Sequence, residues 1–189
     1  RRALETSSDA EDVPIRAVEQ LANLESRLGE HLWREGGPRE QSLNLLEQAR
    51  TRMEVVLAIH ETPERLAIAG ATERRLAAIL DTADDDAREA ALRRAAERYR
   101  AALEAGAALS EPDPYPALAW IDLACVLGDG EPSRLDDLAQ TCLRRARELA
   151  AAEPSYWHRI YVPDAEKSLA LVRGHLPAHA AAIRMTYAD

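Results

Sequence analysis

Apolar residues recur along this chain at three- and four-residue steps, and no stretch alternates in twos. Val18, Leu21, Leu24, Leu28 and Leu32 form one stripe, read as the inward face of a first helix, with His31 beside it. Leu43, Leu46, Ala49, Met53, Val56 and Leu57 form a second, and Leu92, Ala95, Tyr99, Ala102 and Leu103 a third. Leu135, Leu138, Ala139, Leu143, Ala146 and Leu149 form another. Side chains three and four apart share one face of an α-helix, so each stripe predicts an amphipathic helix. The punctuation between stripes sets the boundaries. Pro14 suits the first turn of a helix that Gly36-Gly37-Pro38 ends. A second helix is expected over 38–59, and a third over 63–80, with Thr62 as N-cap and Pro63 in its first turn. After an acidic turn at 81–86 a fourth helix runs over 86–109, until the segment ending at Pro114 breaks it. A fifth over 115–127 stops at Gly128-Asp129-Gly130, and a sixth over 133–152 starts on Ser133 as cap and stops before Pro154. A seventh covers 155–176, with Pro163 inside it, and Pro177 opens an eighth toward Asp189.

These helices repeat. Tyr99, Leu143 and Tyr187 stand 44 apart, each four residues after Ala95, Ala139 or Ile183, and Ala102 and Ala146 follow the first two. The odd-numbered helices share another pattern: Glu25, Leu28, Gly29 and Leu32; Leu66, Ala69, Gly70 and Glu73; Trp120, Leu123, Ala124 and Leu127; Glu166, Leu169, Ala170 and Arg173. The third place in each set is small. A small residue there lets two helices approach closely, and a large residue on the facing helix fills the space beside it. Such a unit cannot bury its apolar face alone, so neighbours must stack. The expected architecture is all-α, about four antiparallel hairpins over 14–61, 62–109, 114–153 and 155–189, with residues 1–13 a polar lead-in or linker.

Composition agrees. Of 189 residues 47% are hydrophobic, Phe is absent and aromatics total 4%, and Ala and Leu, the helix formers, dominate the apolar content. A net charge of −9, from 24 basic and 33 acidic residues, argues against nucleic acid or an anionic membrane surface as partner. Cys125 and Cys142 are not in a CxxC arrangement and read as small buried residues in a reducing compartment. There is no apolar run of the roughly 20 residues a membrane span needs, and no signal peptide is visible. A cytoplasmic location is expected. The chain starts at Arg1 without Met, which leads us to expect a fragment of a larger protein.

Leu28-Gly29, Trp120-Leu123-Ala124 and Ala95/Tyr99/Ala102 resemble the signature of tetratricopeptide repeats, which implies a right-handed α-solenoid. The spacing between hairpins is longer than that family's 34 residues, and Glu73 and Arg173 stand where it carries apolar residues. The segment Tyr115-Pro116-Ala117-Leu118-Ala119-Trp120, followed by Leu123-Ala124 and Leu127-Gly128, resembles the TRAF-binding helical region of apoptosis signal-regulating kinases and its bacterial relatives. Residues 64–80, with Gly70 and Arg74-Arg75-Leu76-Ala77, fit the same relatives. The resemblance implies a regulatory scaffold that binds a peptide, or a fused effector domain, within a larger signalling or defence protein. It also implies that the groove is lined by the first helices, which makes Ala71, Arg74, Leu118, Ile121 and Lys167 candidate partner-binding residues. Tyr156 and Trp157 are candidate anchors near a hairpin junction; Trp120, at the packing position of its repeat, reads as core.

Catalytic chemistry finds no constellation. His175 and His179 are four apart, but Pro177 between them breaks the single helix face a zinc pair needs. His60 and His158 read as capping or surface groups near helix ends. Asp84-Asp85-Asp86 reads as a helix-start charge cluster, and Gly128-Asp129-Gly130 as a turn without a phosphate-loop lysine. Arg74, Arg75, Arg93, Arg94, Arg98 and Arg100 read as helix-face charges balanced by acidic neighbours. The reading is therefore non-catalytic, with no cofactor and no metal. The alternative is a ligand sensor or enzyme with a polar pocket built from residues such as Arg74, Asp122 and His31. A third reading is a homo-oligomer, in which end repeats leave apolar faces for a second copy to cover.

Overall fold

The computed structural model describes residues 2–80, 85–107 and 112–177, with side chains from residue 15 onward. Among these are seven helices and no strand: α1 (Arg2–Arg34), α2 (Arg39–Ile59), α3 (Pro63–Ile79), α4 (Asp85–Ala107), α5 (Pro114–Leu127), α6 (Pro132–Ala152) and α7 (Tyr156–Val172). The protein is all-α. Ile183, Tyr187, most of the eighth expected helix and part of the acidic turn at 81–86 lie outside the described residues.

Local chemistry accounts for several helix ends. Thr62 accepts a hydrogen bond from the Arg65 backbone N–H and Pro63 follows it, so α3 starts as its sequence requires. Asp113 accepts from the Tyr115 N–H at α5, and Ser155 from the His158 N–H at α7. Gly128 ends α5 at φ 69°, the left-handed conformation that glycine adopts without a Cβ clash. Two starts differ from expectation. Glu131, not Ser133, holds the N-cap position of α6; the Ser133 hydroxyl donates to the Glu131 carboxylate at 2.7 Å. Helix α1 runs from Arg2 and carries Pro14 in its interior, so the first helix starts twelve residues before the expected Pro14. Ala3, Leu4, Glu5, Ala10 and Glu11 favour helix, and that preference outweighs the N–H that Pro14 lacks. Helix α7 stops at Val172, four residues short of the expected end.

The chain divides into two compact units, Arg1–Arg98 and Tyr99–Asp189, with the division inside α4. In the first unit α1 and α2 form an antiparallel hairpin, since Gly29 faces Ser42 and Leu46 while Glu25 reaches Arg52. Helix α3 packs on both. Leu46, Leu76 and Ile79 form a core between α2 and α3. Gly29, Gly70 and Ala124 are all buried, as the small-residue pattern requires. A Cβ on Gly29 would lie 2.9 Å from the Ser42 carbonyl oxygen, so the approach of α1 to α2 depends on its absence.

The inward face of α1 differs from the expected stripe. Its buried residues are Glu19, Ala22, Ser26 and Gly29, while Leu21, Leu24 and Leu28 are exposed, as is His31. Close helix approach selects small side chains on the packed face, which leaves the leucines on another one. In the second unit α5, α6 and α7 pack around Ala117, Leu118, Ile121, Ala124, Leu135, Ala139, Cys142 and Ala165, with Trp120 and Leu143 packed against that core. Tyr99 is fully buried, edge-on to Tyr115 with ring centres 5.9 Å apart.

Candidate functional site

The odd-numbered helices of each unit lie side by side and are joined by polar side chains. In the first unit the Arg65 guanidinium donates to the Glu19 carboxylate at 3.0 Å and to the His60 carbonyl at 2.9 Å. One turn or two further along, the Thr72 hydroxyl lies 3.2 Å from the Ser26 hydroxyl, both fully buried. Arg75 then donates to Ser26 at 3.0 Å and to Glu30 at 2.7 Å. Residue numbers rise together along both helices, so α1 and α3 run parallel. In the second unit Asp122 of α5 holds two groups of α7: it accepts from the Ser168 hydroxyl at 2.6 Å and pairs with the Lys167 ammonium at 2.8 Å. Asp164 stands 3.6 Å from the same ammonium. Buried hydroxyls and charges tolerate this position only because they satisfy one another.

The expected partner-binding residues divide into two groups. Ala71, Leu118 and Ile121 are buried: Leu118 and Ile121 belong to the core of the second unit, and Ala71 is 3% exposed. They hold helices together and offer no side chain to a partner, because the inward positions of a repeat and the groove positions of its first helix lie only one residue apart in the sequence. Arg74 is exposed on α3. Lys167 is half-buried between its two carboxylates, and Tyr156 and Trp157 at the start of α7 are exposed and in edge contact at 5.2 Å. Lys167, Tyr156 and Trp157 thus share one helix. Of the alternative pocket residues, Arg74 and His31 belong to the first unit, and Asp122 to the second.

Sequence reasoning missed the polar pairs. Glu19 and Arg65, Ser26 and Thr72, and Asp122 and Ser168 are each 46 residues apart. A search for complementary polar residues at one fixed offset finds all three. The arginine islands are balanced, as expected: Arg75 pairs with Glu30, Arg93 with Glu89, Arg94 with Glu73, Arg98 with Glu54 and Arg100 with Glu104. Glu73 is buried, and burial raises its carboxyl above the usual range although Arg94 opposes this.

The nucleophiles are subdued. Burial pushes the Cys142 thiol up to about 12, helped by the Asp113 carboxylate, and burial and Asp122 raise Cys125. A thiol must ionise to attack, so neither is an activated nucleophile. The His158 ring nitrogen sits 2.6 Å from the Glu153 carbonyl, a helix-end contact. His179 lies outside the described residues. Among the described residues no group of three His, Cys, Asp or Glu is placed to hold a metal, and no helix is long and apolar enough to cross a membrane.

Parallel first helices tied by polar pairs, and packed with antiparallel second helices, define a helical-repeat domain of tetratricopeptide type. The chain belongs to the Tetratricopeptide Repeats-Sensor family, whose model matches residues 1–125. No curated protein and no solved structure matches the chain. Domains of this type are protein-interaction or sensor modules and are normally non-catalytic.

Proposed function

We propose that the chain is a non-catalytic interaction module that binds a peptide segment, or a domain of a larger cytoplasmic signalling or defence protein, and so positions or restrains an effector. The observation that carries this reading is the surface of α7. Tyr156 and Trp157 are 69% and 55% exposed beside the N-cap, and Lys167 lies further along the same helix. Large aromatics and a cation that keep solvent contact are the side chains that anchor protein partners. The polar pairs between first helices support the same reading, because a surface held rigid loses little entropy on binding. The resemblance of the Tyr115–Trp120 segment to the TRAF-binding helical region of apoptosis signal-regulating kinases supports a regulatory role.

The test is hydrogen exchange on the chain with and without the domains that flank it in its parent protein. Protection along α7, lost in Trp157→Ala and Lys167→Ala, is expected. Absence of any contact with a flanking domain or partner, by exchange and by crosslinking, overturns the reading.

The convergence of Asp122, Ser168 and Lys167 favours a second reading, a sensor that takes a small polar ligand between α5 and α7. Here a ligand would displace the Lys167 ammonium from Asp122, and Asp122→Asn would abolish ligand-dependent thermal stabilisation without affecting peptide binding.

A further inference from the structure

The α1/α2 hairpin carries an apolar face that nothing in the chain's described residues covers. Glu19, Ser26 and Glu30 point α1 at α3 through their partners Arg65, Thr72 and Arg75. Leu21 and Leu28 come two residues after Glu19 and Ser26, about 200° around the helix, and so look the opposite way. On α2, Leu46 faces α3, and Val55, nine residues on, lies about 180° around from it. Leu21, Leu24, Leu28, Val55 and Ile59 are 43%, 64%, 47%, 56% and 60% exposed. The Glu25 carboxylate and Arg52 guanidinium close the seam between the two helices with bonds of 2.8 and 3.1 Å.

We propose that this face is an isologous dimer interface, covered by the same face of a second copy of the chain. Two observations select that occupant. The first is charge. The chain carries −9 and 30% charged residues. Its polar positions on this face are nevertheless Asn44, Gln48, Thr51 and His31, and its one ion pair is the matched Glu25–Arg52 pair. Gln48 donates to Asn44 at 2.9 Å and Thr51 to the Glu47 carbonyl at 2.9 Å, so part of their hydrogen-bonding demand is met inside the helix. A partner chosen by charge finds nothing to grip here, while a copy of the face meets no like charge.

The second observation is area. The five apolar side chains expose on the order of 500 Å², the upper end of what one monomer shows in a single patch. The exposed polar positions beside them enlarge the face toward the roughly 800 Å² per partner that a stable association buries. Leu24, the middle of the leucine stripe and its most exposed member, stands nearest the two-fold axis, against Leu24 of the second copy.

Sedimentation equilibrium on the chain over a hundredfold range of concentration tests this. A dimer is expected, and Leu24→Glu is expected to weaken it by about a hundredfold or more, since each dimer then buries two charges. Circular dichroism separates this from misfolding, because an exposed residue changed to Glu leaves the helix content unchanged. Leu24→Cys is expected to form a disulfide-linked dimer under mild oxidation, in a background with Cys125 and Cys142 changed to Ala. A chain that stays monomeric up to about 100 µM overturns the proposal and leaves the face to a different helix; so does a dimer that Leu24→Glu and Val55→Glu leave intact.

Discussion

Arg65 Nε lies 3.0 Å from Glu19 Oε2, with the two side chains only 9% and 8% exposed. This pair joins α1 to α3, and the same guanidinium reaches the His60 carbonyl at the end of α2. One side chain therefore fixes three helices. Glu19→Ala leaves a buried guanidinium without its countercharge, and a loss of about 3–5 kcal/mol is expected in urea unfolding. Changing both residues, Glu19→Leu with Arg65→Met, is expected to recover most of that loss, because the cost lies in the uncompensated charge. A double change no better than the single one shows that the pair itself supplies the stability.

Gly29 and Gly106 make a contrasting pair. A Cβ on Gly29 meets the Ser42 carbonyl oxygen at 2.9 Å and Leu46 at 3.1 Å, whereas one on Gly106 meets nothing within 4 Å. Gly29→Ala must push α2 away from α1 and is expected to cost about 1–3 kcal/mol. Gly106→Ala, near the end of α4, is expected to stabilise by up to about 1 kcal/mol through helix propensity alone. Thermal unfolding of the two variants reads both signs.

These glycines also show what was legible in the sequence. Periodicity and punctuation located the seven described helices, though not the start of α1 or the end of α7, because a cap such as Thr62 acts within a few residues of the end it sets. The small-residue positions were legible for the same reason: Gly29, Gly70 and Ala124 stand at a fixed place in each first helix. The face of α1 was not. A stripe of leucines signals an apolar face, but nothing in it says which neighbour lies opposite, and the packed face of α1 turned out to be Ala22, Ser26 and Gly29. Ala71, Leu118 and Ile121 were misplaced by the same kind of ambiguity, since one residue along a helix is a 100° turn. Arg74, Lys167, Tyr156 and Trp157 keep the solvent contact that a partner requires, and Glu73 is buried beside Arg94 despite breaking the apolar pattern.

Glu73 makes stability depend on pH. Burial raises its carboxyl in the folded chain above the ordinary value of 4.5. The folded state then holds that proton more tightly than the unfolded chain. The group's stabilising contribution is complete below the ordinary value and is lost as pH rises through the raised one. Glu73→Gln removes this loss. The variant is expected to match the parent at pH 4 and to exceed it in unfolding midpoint at pH 7. A difference of the same size at both pH values would mean that Arg94 keeps Glu73 ionised throughout.

Cys142 acts at the other end of the pH scale. It is fully buried, and its thiol is raised from 9.0 to about 12, while Cys125 is only partly buried and raised less far. Labelling with a disulfide reagent at pH 8 is expected to modify Cys125 first and Cys142 only on unfolding, since the thiolate is the reacting form. The sign for stability follows from the same shift. The folded chain keeps the Cys142 proton that the unfolded chain releases near pH 9, so stability is full below that pH and falls as pH rises toward 12. Tyr161, raised from 10.0 to about 12 by burial and then by Asp113, adds a second loss that begins about one pH unit later. Cys142→Ala is expected to flatten the decline between pH 9 and 10 and to make it shallower above pH 10, where the Tyr161 share remains. A decline identical in the variant and the parent would assign the whole alkaline loss to Tyr161.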